Sequence, residues 1–181
     1  MFGTVVNNKQ FLELVKSGLI KIVPFQDKKL QTIHYPLNIK LVSKFEEDGE
    51  FTEYVLKKNK PYKLAPNEYV VVEIDEHIEL ASGIIGEFVP SSNLIEKGLA
   101  LTCGKLDAEY GGNGETIRFG LKNLLDKEVV VEYDLKIAYV RLFDLRALDN
   151  FPYVIGKEEK LLWLQRTRRA MDDGISYPDE E

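Results

Sequence analysis

The feature that most limits the fold of this chain is a succession of short apolar runs separated by turn-forming residues. Leu37, Ile39 and Leu41 alternate with polar residues, as in a strand with one buried face. About nine or ten runs fit strands, including residues 20–23, 37–41, 51–55, 69–74, 84–89, 99–102, 116–121, 129–133 and 137–143. Short strands with a turn about every 8–12 residues predict a mostly β sandwich, jelly roll or barrel.

Helical patterns flank these strands. Asn7 or Asn8 can cap a short helix that Gly18 ends. Residues 158–171 predict an amphipathic helix, and an acidic tail follows over 172–181. We therefore divide the chain into a β domain, 1–150, and a C-terminal helix and tail, 151–181.

Composition narrows the possible partners. The 181 residues carry a formal charge of −6, with one basic cluster at 157–169, which argues against a duplex nucleic acid. No apolar run is long enough to span a membrane, and the N-terminus does not resemble a signal peptide. Cys103, the single cysteine, fits a reducing, cytoplasmic setting and is expected to be a buried thiol.

Metal ligands are scarce. The chain has two histidines, His34 and His77, and one cysteine, with no Cys-x-x-Cys pair. A zinc site of the kind used by base deaminases needs such a cluster, so no metal ligands are assigned. Any deamination by this chain is expected to be free of zinc.

The segment Asp107-Ala108-Glu109-Tyr110-Gly111-Gly112 combines an acid with an aromatic ring between glycines. An aspartate there can accept a sugar hydroxyl or orient a water, and Tyr110 can lie against a deoxyribose. The alternative is an ordinary turn aspartate with a half-buried tyrosine, since aspartate favours turns.

The segment Pro90-Ser91-Ser92-Asn93 offers hydroxyl, amide and backbone N–H groups that can bind phosphate oxygens. The alternative is the start of a short helix over residues 94–97, with Ser92 or Asn93 as its cap. Judged alone, this segment favours the cap.

Four segments in order make the chain resemble the trimeric dUTPase and dCTP deaminase superfamily over roughly residues 7–145. Leu37-Asn38-Ile39-Lys40-Leu41 resembles the first motif of that family, and Pro90-Ser91-Ser92 through Lys97-Gly98-Leu99 resembles the second. Residues 104–112 resemble the third motif, and Lys136-Ile137-Ala138-Tyr139-Val140 the fourth.

The resemblance implies a distorted jelly roll of the dUTPase-like β-clip type, with a short N-terminal helix and, here, a C-terminal helix. It also implies a homotrimer whose interfaces bind a deoxypyrimidine nucleotide together with Mg²⁺. The residues that it assigns to nucleotide binding are Ser91, Ser92, Asn93, Asp107, Tyr110, Gly112 and Lys136. Asp107 is also the catalytic candidate if the chain is active.

Three positions depart from the family pattern. Asn38 stands where the family has aspartate, and Pro90 stands where it has arginine, a bidentate phosphate donor. Gly120 falls where the deaminases carry the glutamate that activates water. Glu115, five residues earlier, replaces that glutamate only under a different alignment of the 111–115 loop.

These departures favour a nucleotide-binding homotrimer that has lost deamination. One alternative is an active dUTP diphosphatase or dCTP deaminase. Another is a protein-interaction trimer that uses Leu161, Leu162 and Trp163 of the C-terminal helix as its contact face.

Overall fold

The structure, a computed structural model, describes residues 4–46, 49–109 and 112–146. Within them lie thirteen strands, two α-helices and a 3₁₀ turn at Asp27–Lys29. The elements are β1 (Thr4–Val5), α1 (Asn8–Lys16), β2 (Ile20–Val23), β3 (Tyr35–Phe45), β4 (Phe51–Val55), β5 (Tyr62–Leu64), β6 (Tyr69–Ile74), β7 (His77–Leu80), β8 (Ile84–Pro90), α2 (Ser92–Glu96), β9 (Leu99–Thr102), β10 (Lys105–Leu106), β11 (Arg118–Asn123), β12 (Val129–Val131) and β13 (Lys136–Asp144).

The mostly β prediction is confirmed, and the distorted jelly roll with it. The predicted helix at 158–171 and the boundary at 150 lie outside the described residues. The structure adds four short strands that the sequence did not reveal, β1, β5, β7 and β10.

A curled antiparallel sheet forms the body of the fold. Its strand order is β10-β8-β13-β3-β6-β11-β9, with β1 on β13 and β4 on β3. Two further pairs, β12 with β5 and β2 with β7, complete the described strands. The apolar residues of alternating strand positions, such as Val70, Val72 and Ile74, face inward and are buried.

The long strand β3 belongs to both halves of the sheet. Its first residues pair with β13, and the rest pair with β6 and β4. The register shifts between Ile39 and Leu41 on the β6 side and between Lys136 and Ala138 on the β13 side. Because such irregularities bend a strand and redirect its side chains, this crossing point is where the sheet curls.

Helix α1 begins as the sequence predicts. Asn7 Oδ1 accepts hydrogen bonds from the backbone N–H groups of Lys9 and Gln10, and the Gln10 side chain accepts one from Asn7 N at 3.0 Å. Phe11 on its inner face lies in a stack with Phe25 and Tyr35. This stack fixes the helix to the first part of β3.

The sheet also depends on a buried amide at the end of β11. Asn123 is fully buried and donates hydrogen bonds to the carbonyls of Leu64, Ala65 and Lys127. Its Oδ1 accepts from Leu125 N at 2.9 Å. This network ties the end of β11 to β5 and to the turn before β12, so the amide satisfies backbone groups that would otherwise be unpaired.

Cys103 corrects one prediction. It is exposed, with its Sγ 3.6 Å from the carbonyl oxygen of Phe88, so the expectation of a buried thiol was wrong. Its position in a turn between β9 and β10 explains the exposure. In the part of the chain that the structure describes, no helix is long and apolar enough to cross a membrane.

Candidate functional site

Three of the four sequence segments meet at one end of β3, β8 and β13. Lys136 lies opposite Asn38, and Ala138 lies opposite Pro90. The bulge between Lys136 and Ala138 turns the Lys136 carbonyl toward Ser91, whose hydroxyl donates to it at 2.5 Å. We call this junction of Asn38, Ser91, Ser92, Asn93 and Lys136 the polar junction.

Within the polar junction, the two serines differ in what they can reach. Ser91 is fully buried, and its hydroxyl proton is donated inward to the Lys136 carbonyl. Ser92 is exposed and Asn93 is half-buried, at the start of the short helix α2. The structure confirms a short helix here, but the helix begins at Ser92 and Ser91 is its N-cap, without a side-chain capping bond. The prediction that Ser92 or Asn93 caps a helix over 94–97 was therefore wrong. Phosphate binding by these residues stays a prediction, in which Ser92 and Asn93 have the accessible groups.

A buried carboxylate lies beside the polar junction. Glu76, in the turn between β6 and β7, is 2% exposed and accepts two hydrogen bonds from Asn38. The backbone N–H donates at 2.9 Å and the side-chain amide Nδ2 at 3.0 Å. Burial raises the pKa of Glu76 to about 7, against the lowering effect of the Asn38 backbone N–H.

Sequence reasoning missed Glu76. An acid directly after an apolar strand is typical of a solvated turn, and a second acid beside it, Asp75, favours the same prediction. Only the pairing of β3 with β6 shows that Glu76 lies against Asn38. Position 38 has an amide in place of a carboxylate, and the carboxylate of Glu76 is hydrogen-bonded to that amide.

The Asp107 turn is built by local hydrogen bonds. Asp107 Oδ1 accepts from the backbone N–H of Glu109 at 3.0 Å, and Lys105 Nζ lies 3.1 Å from Oδ2. Gly112 donates its N–H to the Asp107 carbonyl at 2.9 Å, and its own carbonyl accepts from Leu80 N at 2.7 Å. The side chain of Asp107 is 20% exposed. Tyr110, the other predicted residue of this turn, lies outside the described residues.

The Asp107 turn and the polar junction do not coincide within the chain. Leu106 lies opposite Gly86 on β8, and β10 then runs away from Pro90, the end of β8 where Ser91 begins. Continued by one residue, this register brings Asp107 level with Ile85, so at ~3.3 Å per residue Asp107 lies roughly 20 Å along the sheet from Ser91. The chain therefore presents the described site residues as two separate clusters.

Gly120 lies on the outward face of β11, opposite Thr102 on β9 and Val71 on β6. A Cβ atom at Gly120 would overlap the hydroxyl oxygens of both Tyr69 and Thr102. The Tyr69 ring also stacks on Phe45, with ring centroids 6.1 Å apart. The space above Gly120 is therefore filled by two hydroxyl groups.

Neither histidine belongs to these clusters. His34 Nε2 lies 2.7 Å from Gln31 Oε1, with its ring tilted against Tyr139, and His77 Nδ1 lies 3.1 Å from the carbonyl oxygen of Gly114. Burial, and then the charge of Arg141, lower the pKa of His34. Among the described residues, no three His, Cys, Asp or Glu side chains gather into a group that could hold a metal ion.

Comparisons with known proteins agree with this architecture. A family model described as dCTP deaminase-like matches residues 5–145. No curated protein matches the chain. The dCTP deaminase of Agrobacterium tumefaciens has a similar fold, with a TM-score of 0.64 and 14% identity over 92% of this chain and 52% of that one. The present chain thus spans about half the length of that relative.

Two dUTPases are similar over smaller parts of the chain. The enzyme of Streptococcus mutans aligns with a TM-score of 0.48 and 17% identity, over 72% of this chain and 98% of that one. The EIAV enzyme aligns with a TM-score of 0.42 and 15% identity, over 69% and 98%.

Proposed function

Because the chain belongs to the dCTP deaminase-like family, we propose that it is a homotrimer that binds a deoxypyrimidine nucleotide at its subunit interfaces and has lost deamination. The loss of deamination is supported by what occupies the space above Gly120. The hydroxyl groups of Tyr69 and Thr102 fill it.

Deamination without zinc needs a group that takes a proton from the attacking water. At the place where the family resemblance puts that group, Gly120 has no side chain. The hydroxyl groups that occupy the space are poor bases, because a neutral hydroxyl keeps its own proton and carries no negative charge to attract a second one. Loss of a positioned general base costs about 10²- to 10⁴-fold in rate.

Binding at an interface is supported by the separation of the two clusters. In our proposal, Ser92, Asn93 and Lys136 bind the phosphates, and Ser91 holds the backbone that presents them. Asp107 and Tyr110, with Gly112 closing the turn, bind the sugar and base. Roughly 20 Å separates Asp107 from Ser91 along β8, so we propose that a neighbouring subunit supplies the second half of each site.

Mg²⁺ enters this proposal with the nucleotide. Hydroxyl, amide and ammonium groups at the polar junction fit phosphate oxygens rather than a bare cation. When bound, Mg²⁺ would neutralise part of the phosphate charge.

A dUTP diphosphatase is the second candidate, and the setting of Asp107 favours it. The carboxylate is fixed by Glu109 N and Lys105, and it keeps 20% of its surface exposed. A carboxylate so held can orient a water against a phosphate.

The test is binding calorimetry of the full chain with Mg²⁺ and dCTP, dUTP, dTTP or dATP, paired with assays for ammonia and pyrophosphate. We expect pyrimidine nucleotides to bind without release of either product. Asp107→Asn should weaken binding by about tenfold or more, because a charged acceptor is replaced by an amide. Asp126→Asn, at an exposed turn, is the matched control and should bind as the wild type does.

Each other result has a definite meaning. Ammonia from dCTP contradicts the loss of deamination, and pyrophosphate from dUTP establishes the diphosphatase instead. Binding of no nucleotide contradicts the proposal and favours the protein-interaction trimer.

A further inference from the structure

Glu76 is buried at the polar junction although no ion pair holds it in the described residues. Its two carboxylate oxygens accept hydrogen bonds from Asn38, at 2.9 Å from the backbone nitrogen and 3.0 Å from Nδ2. The backbone N–H of Glu76 itself also donates to the carboxylate. Asn38 in turn lies opposite Lys136, whose carbonyl binds Ser91. Glu76 is therefore two contacts away from the residues assigned to the phosphates.

We propose that Glu76 is a positioning residue for the nucleotide, acting through the side-chain amide of Asn38, so that proton uptake at Glu76 strengthens anion binding at the polar junction. This inference rests on the proposed function, and it concerns a residue that the proposed function does not use.

The hydrogen bonds define two states of the Asn38 amide. An ionised Glu76 accepts from both donors of Asn38, which holds Nδ2 toward Glu76. A protonated Glu76 has one O–H to donate, and Asn38 Nδ2 cannot accept it. If the amide turns over, Oδ1 accepts that O–H and the backbone N–H keeps its bond to the other oxygen. In the state that we assign to protonated Glu76, Nδ2 therefore points away from Glu76.

Protonation of Glu76 changes the polar junction in two ways, and both favour the binding of an anion. The turned amide releases an N–H donor group from Glu76, and Asn38 is half-buried rather than enclosed. At the same time a buried negative charge disappears from beneath the site. A polyphosphate therefore binds the protonated state more tightly, and by linkage its binding raises the proton affinity of Glu76.

The charged groups around Glu76 are few. Asp75, beside it in the turn, opposes ionisation, and Lys29 from the 3₁₀ turn favours it. Tyr35 on β3 is close enough for the two groups to influence each other, and its hydroxyl accepts from Gln26 N. Lys136 faces Asn38 from β13 and is exposed. Burial outweighs these charges and places the pKa of Glu76 near 7, so the two states exchange at ordinary pH.

The test measures the affinity of the full chain for dCTP and for inorganic tripolyphosphate at pH 6, 7 and 8 by calorimetry. The variants are Glu76→Gln, which is always neutral, and Glu53→Gln, a matched charge removal at an exposed position of β4. The titration of the ligand phosphates is common to all three proteins. For each protein we compare the affinity at pH 6 with the affinity at pH 8. We expect this ratio to be about fivefold larger for the wild type and for Glu53→Gln than for Glu76→Gln.

A second measurement covers the case in which Glu76→Gln does not fold. In the wild type, labelled for carbon-13 at glutamate and nitrogen-15 at asparagine, the Glu76 carboxyl and the Asn38 side-chain amide should shift with one shared midpoint near pH 7. Titration of Glu76 as an ordinary surface acid, or an Asn38 amide that does not respond, overturns the inference.

The two proposals fail in different ways. If nucleotides bind and the pH dependence is the same in all three proteins, this inference fails and the proposed function stands. If neither dCTP nor tripolyphosphate binds at any pH, both fail.

Discussion

Because Gly120 has no side chain, two neighbouring side chains can lie over its backbone. Tyr69, on the adjacent strand and one diagonal position away, and Thr102, directly opposite, reach over the bare backbone. Both residues lie on the outward face of the sheet, within the reach expected of diagonal and direct cross-strand neighbours. Their hydroxyl groups occupy the space that a larger residue would need.

This packing predicts the outcome of Gly120→Ala. Alanine in a strand ordinarily stabilises by about 0.5–1 kcal/mol relative to glycine. Here the added methyl overlaps two oxygen atoms, and overpacking of this kind costs about 1–3 kcal/mol. We expect Gly120→Ala to lower the free energy of unfolding, measured with denaturant, when it is made in the wild type. The same substitution should lower it less in the Tyr69→Ala/Thr102→Ala background. An equal loss in both backgrounds would mean that the two hydroxyl groups do not fill the space.

Residue identity alone did not reveal these neighbours. Asp107 was predictable as a turn residue, because its carboxylate accepts from the backbone two residues ahead, a local preference of aspartate. The burial of Ser91 was not predictable, since it depends on which residue of β13 bulges toward it. Tyr69 and Glu76 were missed for the same reason, because their partners lie on other strands.

At the scale of the elements, the sequence was informative wherever the signal is local. The cap at Asn7 and the alternation along β3 and β6 correspond to observed elements, and Gly18 follows α1 with a φ of +72°. The strands β5 and β7 alternate over only 3 and 4 residues, too few to give a clear periodic signal, so only their pairing with β12 and β2 identifies them. The separation of the two site clusters follows from strand order, which no local pattern encodes.

The Asp107 turn provides a prediction at this scale. A Cβ atom at Gly112 would overlap the backbone carbonyl of Asp107, and a backbone group cannot move aside as a side-chain tip can. Gly112→Ala should therefore distort the turn and weaken nucleotide binding by about tenfold or more, the loss expected when site groups are displaced by about 1 Å.

Gly104→Ala is the matched control, because a Cβ there meets nothing within 4 Å. Calorimetry should find nucleotide affinity unchanged in this variant. Equal affinities for Gly112→Ala and Gly104→Ala would remove the Asp107 turn from the site.

At the scale of the whole molecule, Glu76 links stability to pH. Its pKa rises from 4.5 to about 7 on folding, chiefly because the group is buried. The folded state therefore holds a proton that the unfolded state has lost between these values. The stability from this group is fully present below pH 4.5 and is lost as the pH rises through 7.

The shift corresponds to about 3 kcal/mol of unfolding free energy. Glu76→Gln stays neutral, so between pH 5 and pH 8 its free energy of unfolding should fall less than that of the wild type, by up to about this amount. Glu53→Gln should follow the wild type. Denaturant unfolding at a fixed protein concentration measures the difference, since association would otherwise alter the apparent stability. Parallel curves for all three proteins would show that Glu76 titrates alike in both states.

Native mass spectrometry of the full chain, incubated with Mg²⁺ and dCTP, tests the central claim most directly, because one spectrum reports subunit number, ligand number and ligand mass. We predict a trimer that carries up to three nucleotides with the mass of dCTP unchanged. A monomer without ligand, or a bound nucleotide whose amine has been replaced by oxygen, would contradict the account.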